Sequence, residues 1–151
     1  MALIEKSVEV NVPVRTAYNQ WTQFEEFPKF MEGVTQVKQL DNTHLHWKAQ
    51  IAGKEKEWDA VITGQRPDEL IAWKSTEGAS NAGVVTFHRL SDQKSKVRLE
   101  MDYEPEGVVE SLGEAIGAVS LRIEGDLERF KTFIEERGRE SGAWRGEVNS
   151  K

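Results

Sequence analysis

The chain has no cysteine among its 151 residues. That excludes disulfides, thiolate nucleophiles and cysteine-held zinc. No apolar run approaches the roughly 20 residues needed to span a bilayer, so stable membrane insertion is not expected. The opening residues, Met1-Ala2-Leu3-Ile4-Glu5-Lys6, bring charge early and lack the apolar segment of a signal peptide. The expected compartment is the cytoplasm. Positive charge is in short supply as well: 20 Lys and Arg stand against 26 Asp and Glu, a net −6. A field of that sign repels phosphate backbones, so nucleic acid is not an expected partner. There is no Ser-His-Asp set, no P-loop, no glycine-rich dinucleotide motif and no carboxylate pair at a defined spacing. No cofactor is expected.

What the chain does have is a long helical pattern near its end. Between Gly107 and Arg139, apolar residues fall at Val109, Leu112, Ile116, Val119, Ile123, Leu127, Phe130 and Ile134. Steps of three and four place them on one face of an amphipathic helix of roughly 45–50 Å. Glu110, Glu114, Arg122, Glu124, Glu128 and Lys131 are assigned to the wet faces. Asp126 interrupts the heptad seam, which argues against a coiled coil. Gly113, Gly117 and Gly125 each cost about 1 kcal/mol relative to alanine inside a helix. Either close packing on a sheet or a wall left thin over a cavity accounts for them.

Upstream the period is two. Ile4, Val8, Val10 and Val12 alternate with Glu5, Ser7, Glu9 and Asn11, a strand with one buried face. Pro13 opens a short helix carrying Val14, Ala17, Tyr18 and Trp21, and a second short segment, Phe24 to Met31, is dense in aromatics. Strands follow at Val34–Leu40, Leu45–Ile51, Trp58–Ile62, Ile71–Ser75, Val85–Phe87 and Val97–Tyr103, with Glu77 to Gly83 expected as a small-residue loop. The fold class is α+β: about six or seven antiparallel strands curved around one long C-terminal helix, with two short helices after the first strand. Residues 1–140 make one domain, and 141–151 read as a polar, flexible tail.

The residues Val10-Asn11-Val12-Pro13-Val14, Ala17-Tyr18-Asn19-Gln20-Trp21 and Phe24 to Val34 carry a further signal, as do the Trp73 strand, Gly83 to Phe87, and Asp126 to Lys131. In these the chain resembles the START/SRPBCC superfamily, the helix-grip fold. Within it the likeness is to the polyketide cyclase/dehydrase and coenzyme-Q-binding group. The resemblance implies an apolar cavity between the sheet and the long helix. On that expectation Trp47, Trp58, Trp73, Phe87, Met101, Tyr103, Ile116, Val119 and Ile123 face a ligand, and Phe27, Phe30 and Met31 flank its entrance. Core filling is the competing reading for the indoles.

Polar residues expected on inward faces are few: Tyr103, Ser75, Lys6 and Arg89. Only Tyr103 is a candidate acid, and no catalytic residue is assigned. His44 and His46, with His88, sit at outward positions, as do Glu100, Asp102 and Glu104, so no metal site is expected. Three functions stay open. The first is binding of a hydrophobic small molecule, such as a polyketide-like compound, quinone or lipid. The second is a polyketide cyclase, aromatase or dehydrase. The third is a partner-binding domain acting through Phe24–Met31. The expected oligomeric state is a monomer or weak homodimer.

Overall fold

The computed structural model describes residues 2–31, 33–51, 54–78, 80–104 and 112–148. The N-terminal alternation becomes β1 (Ala2–Val10). Ile4, Val8 and Val10 are buried while Glu5, Ser7 and Glu9 stay exposed. Lys6 interrupts the apolar face and its ammonium stands 3.9 Å from Glu124 on the last helix. Pro13 caps α1 (Val14–Trp21), its carbonyl accepting the Ala17 amide at 3.1 Å. A 3₁₀ segment (Phe24–Lys29) follows. Then come β2 (Val34–Gln39), β3 (His44–Ile51), β4 (Lys54–Arg66), β5 (Leu70–Gly78), β6 (Ser80–Ser91) and β7 (Lys94–Glu104). The last element is α2 (Leu112–Arg137).

The seven strands form one antiparallel sheet in the order β1-β7-β6-β5-β4-β3-β2. Sequence neighbours pair throughout, except that β1 lies along β7, from Leu3 opposite Asp102 to Val10 opposite Ser95. Register shifts interrupt β2 between Val34 and Gln36, and β4 between Asp59 and Ala60 and between Ile62 and Gly64. Extra residues of this kind bend a strand and add twist. The sheet accordingly curls into a half-barrel whose concave face takes α2. Val119, Ile123, Leu127, Phe130 and Ile134 are the buried seam of that helix. Gly138, at φ 70°, ends it, its amide bonding back to the Ile134 carbonyl at 2.9 Å.

Three expectations change. The stretch 77–83 is not a small-residue loop: β5 runs to Gly78 and β6 begins at Ser80. Ladder hydrogen bonds need only backbone, and Ala82 and Gly83 pair with Asp102 and Met101 of β7. The expected helix spans 107–139; its described part begins at Leu112 and ends at Arg137, while 107–111 lie outside the described residues. At Gly125 the nearest neighbour is on the same helix: a Cβ there would stand 2.9 Å from the Arg129 guanidinium. The side-chain surroundings of 113 and 117 lie outside the described residues.

The third change is at the C-terminus. Residues 141–148, expected as a loose tail, cross back over α1 as a strap. The Ser141 amide donates to Gln20 Oε1 at 2.8 Å, and Gln20 Nε2 donates to Ser141 Oγ at 3.0 Å. The Trp144 amide donates to Thr22 Oγ1 at 3.1 Å. Arg145 donates to Asn19 Oδ1 at 2.6 Å and to Asp68 Oδ2 at 2.8 Å, with its guanidinium 5.6 Å from the centre of the Tyr18 ring. Val148 exchanges backbone bonds with Gln65. The strap holds mostly by polar partners, with Val148 packed against the core, so no hydrophobic period marks it in the sequence. It also explains why Asn19 and Gln20, on the polar side of α1, are buried.

Candidate functional site: a cavity between sheet and helix

One end of the interior is solid. Trp21 meets Phe130 at 4.9 Å and Phe27 at 5.4 Å between ring centres, and Phe30 meets Phe130 at 5.2 Å. Edge-on and tilted rings at such distances are favourable packing. The other end is not filled. Between the concave sheet and α2 lies a cavity of about 270 Å³. Its sheet side is built from Leu45 and Trp47 of β3, Trp58 and Ile62 of β4, and Ile71 and Trp73 of β5. Asn81, Val85, Leu99 and Met101 continue it across β6 and β7. Val119, Arg122, Ile123, Asp126 and Leu127 of α2 form the opposite wall, and Trp21, Phe24, Phe27 and Met31 close the packed end.

The indoles are held in place by different means. Trp47 and Trp58, opposite each other in the β3–β4 register, stack at 5.6 Å with their planes 10° apart. Phe27 abuts Trp47 at 5.5 Å. Trp47 Nε1 is buried and has no hydrogen-bond partner among the described residues. Trp73 pairs with Gly83, where an added Cβ would come within 2.7 Å of the indole ring. A glycine there leaves room for the ring to lie across the strand. Trp73 Nε1 then donates to Asn81 Oδ1 at 2.9 Å, and the Asn81 amide donates to Ser75 Oγ at 3.1 Å. Ser75 therefore positions Asn81, which positions the indole.

Of the residues expected to face a ligand, Trp47, Trp58, Trp73, Met101, Val119 and Ile123 line this one cavity. Phe87 does not: it is buried behind it, 5.2 Å from Tyr18 and 6.3 Å from Trp21. The side chains of Tyr103 and Ile116 lie outside the described residues. Phe27 and Met31 line the cavity, whereas Phe30 sits in the solid end against Phe130 and Phe133. All four large residues of the Phe24–Met31 segment are buried, Met31 the most exposed at 8%. A partner surface made of exposed aromatics is thus not what this segment offers.

The polar lining residues were the ones missed. Arg122 is on the cavity wall and half-buried, not on a wet face. Its signal was available, since 119, 122, 123, 126 and 127 are linked by steps of three and four. Asp126, 8% exposed, accepts a hydrogen bond from Arg129, whose Nε donates to the Phe30 carbonyl at 2.9 Å. Lys6 and Arg89 are engaged elsewhere, with Glu124 and Asp92. Tyr18 is a buried phenol whose pKa burial pushes up, against the opposing pull of its bond from Gln65. It lies under the strap, not in the cavity.

Outside the sheet, His46 bonds Asp59 at 2.6 Å and Glu57 at 3.0 Å, and these partners raise its pKa. The Asp41 carboxyl, held by the Thr43 and His44 amides and the His44 ring, is lowered to about 2. No group of three or more potential metal ligands occurs among the described residues. Among them, too, no helix is long and apolar enough to cross a membrane. Chemically the cavity offers flat apolar faces, the side-chain amides of Gln50 and Asn81, the Arg122 guanidinium and the Asp126 carboxylate, and its described walls hold no nucleophile with an adjacent base.

Residues 10–132 match the family described as polyketide cyclase/dehydrase and lipid transport. An uncharacterized 17.2 kDa protein of Streptomyces lincolnensis is 56% identical over 149 residues, covering 98% of this chain and 99% of its own. Among solved structures, the Zhui aromatase/cyclase of a Streptomyces species superposes with a TM-score of 0.78 at 16% identity, covering 95% of this chain and 99% of that one. A START superfamily protein of Mycobacterium smegmatis gives 0.67 at 17% identity, over 84% of this chain and 97% of that one. At those identities the structural likeness speaks for the fold alone.

Proposed function

Because the chain belongs to the polyketide cyclase/dehydrase and lipid-transport family of the START superfamily, we propose that it binds a hydrophobic small molecule between the sheet and α2. The observation that carries this reading is the set of three half-buried indoles around unfilled space, while the aromatics behind them pack solidly. Indole faces suit a flat polycyclic or quinone ring, and Met101 adapts its shape to either. Affinity comes mainly from apolar area removed from water, about 25 cal/mol per Å² before the costs of association.

The test is a titration of intrinsic tryptophan fluorescence with menadione, oleic acid and a polycyclic aromatic ketone. Saturable quenching or a spectral shift with at least one of them is expected. No change with any of the three overturns the reading.

A second reading has one supporting observation, the likeness to an aromatase/cyclase of matching length. Here the cavity would fold a reactive chain and Tyr103 would serve as hydrogen-bond donor. Its test is product formation from a poly-β-ketone mimic, lost in Tyr103→Phe. Equal turnover by the variant and the parent protein contradicts that role.

A further inference from the structure

Arg122 is the cavity residue that the apolar reading leaves unexplained. An arginine stays charged at any working pH, and its long stem ordinarily lets the head reach water. Arg15, Arg66 and Arg139 do so: each is exposed, its guanidinium without an ion pair or hydrogen bond among the described residues. Arg122 also has no such partner among them, yet it is half-buried and lines the cavity. Its guanidinium is laid back over Gly33, where an added Cβ would stand 1.8 Å from Nη1 and 3.0 Å from the Gln50 carbonyl oxygen. A side chain at position 33 would displace the guanidinium from that berth. Asp126, one turn along α2, makes its ion pair with Arg129. Gln50 is the exposed member of the lining and marks where this part of the cavity meets solvent.

We infer that Arg122 pairs with a carboxylate on the bound molecule, so that the ligand is an amphiphilic carboxylic acid whose apolar body lies against the indoles. This rests on the cavity being a binding site for hydrophobic molecules and narrows its ligand class. A planar guanidinium presents parallel N–H donors that match the two carboxylate oxygens. The opposite arrangement, with the acid end inward, would strand a charge against the stacked Trp47 and Trp58 rings.

The experiment compares 1-pyrenebutyric acid with neutral 1-pyrenebutanol, both read by energy transfer from tryptophan to pyrene. The parent protein is expected to bind the acid about tenfold more tightly than the alcohol, the size of a charge-assisted pair. In Arg122→Gln the acid falls to the level of the alcohol and the alcohol is unchanged. Arg122→Lys, which keeps the charge without the fork, recovers part of the difference. Melting temperatures of the unliganded variants report any loss of fold separately. Equal binding of acid and alcohol by the parent protein overturns the inference and leaves the cavity reading intact, as does an equal loss of both in Arg122→Gln. Binding of neither overturns both.

Discussion

The two ends of the interior use the same residue types to opposite effect. At one end Phe30, Phe130 and Trp21 are 2%, 0% and 3% exposed and touch edge to face. At the other, Trp47, Trp58 and Trp73 are only half-buried and border a cavity. The difference lies in what stands between sheet and helix. At the solid end α1 and the 3₁₀ segment wedge in a third layer of rings. That layer stops at Met31, and beyond it α2 faces the indoles directly across open space. An inward position thus says which way a side chain points, not whether anything meets it.

Truncation separates the two ends most sharply. Phe130→Ala should lose about 3–5 kcal/mol, the usual range for a fully buried ring. Trp73→Ala should lose only about 1–2 kcal/mol, because part of its surface already lacks neighbours. The ligand response should run the other way, abolished in Trp73→Ala. Urea unfolding beside fluorescence titration checks both, and equal destabilisation would erase the contrast between the ends.

The strap gives a smaller effect. Arg145→Ala leaves Asn19 Oδ1 and the Asp68 carboxylate without their donor. A loss of about 1–3 kcal/mol is expected, the cost of stranding partly buried acceptors. Ligand binding should be unchanged, since these residues are absent from the cavity wall. A shift in affinity as large as that of Trp73→Ala would link strap and cavity.

The smallest prediction is a pH dependence. His46 has a raised pKa in the folded state, so it binds its proton more tightly there than when unfolded. Its contribution is therefore full at pH below about 6.5 and is lost as pH rises through the raised folded value. The melting-temperature gap between the parent protein and His46→Gln should be wider at pH 5.5 than at pH 8.5. A gap independent of pH contradicts the assignment.

Much of this architecture is legible in the sequence, for identifiable reasons. Alternation in β1, broken only at Lys6, and the three-four spacing of the apolar residues in α2 each mark one inward side, and burial of the apolar residues follows them. The hairpin at 77–83 is not legible, because its strands rest on backbone pairing and on a glycine that shelters Trp73. The strap escapes for a similar reason, its few apolar residues, Ala143, Trp144 and Val148, forming no helical or strand period. Within the site, alternation finds Trp47, Trp58 and Trp73 but also draws in Phe87, which points inward and is capped by Tyr18. Arg122 was assigned by its charge to the wet side, although its spacing puts it beside Ile123. Charge was the weaker guide there.

The central claim is that the space under α2 admits a guest. Native mass spectrometry of the parent protein and of Ile123→Trp, each incubated with the molecule giving the strongest fluorescence response, tests it directly. A one-to-one complex is expected with the parent protein and none with the variant, whose added indole occupies the cavity while the fold persists. Equal occupancy in both, or no complex with the parent protein, contradicts the account.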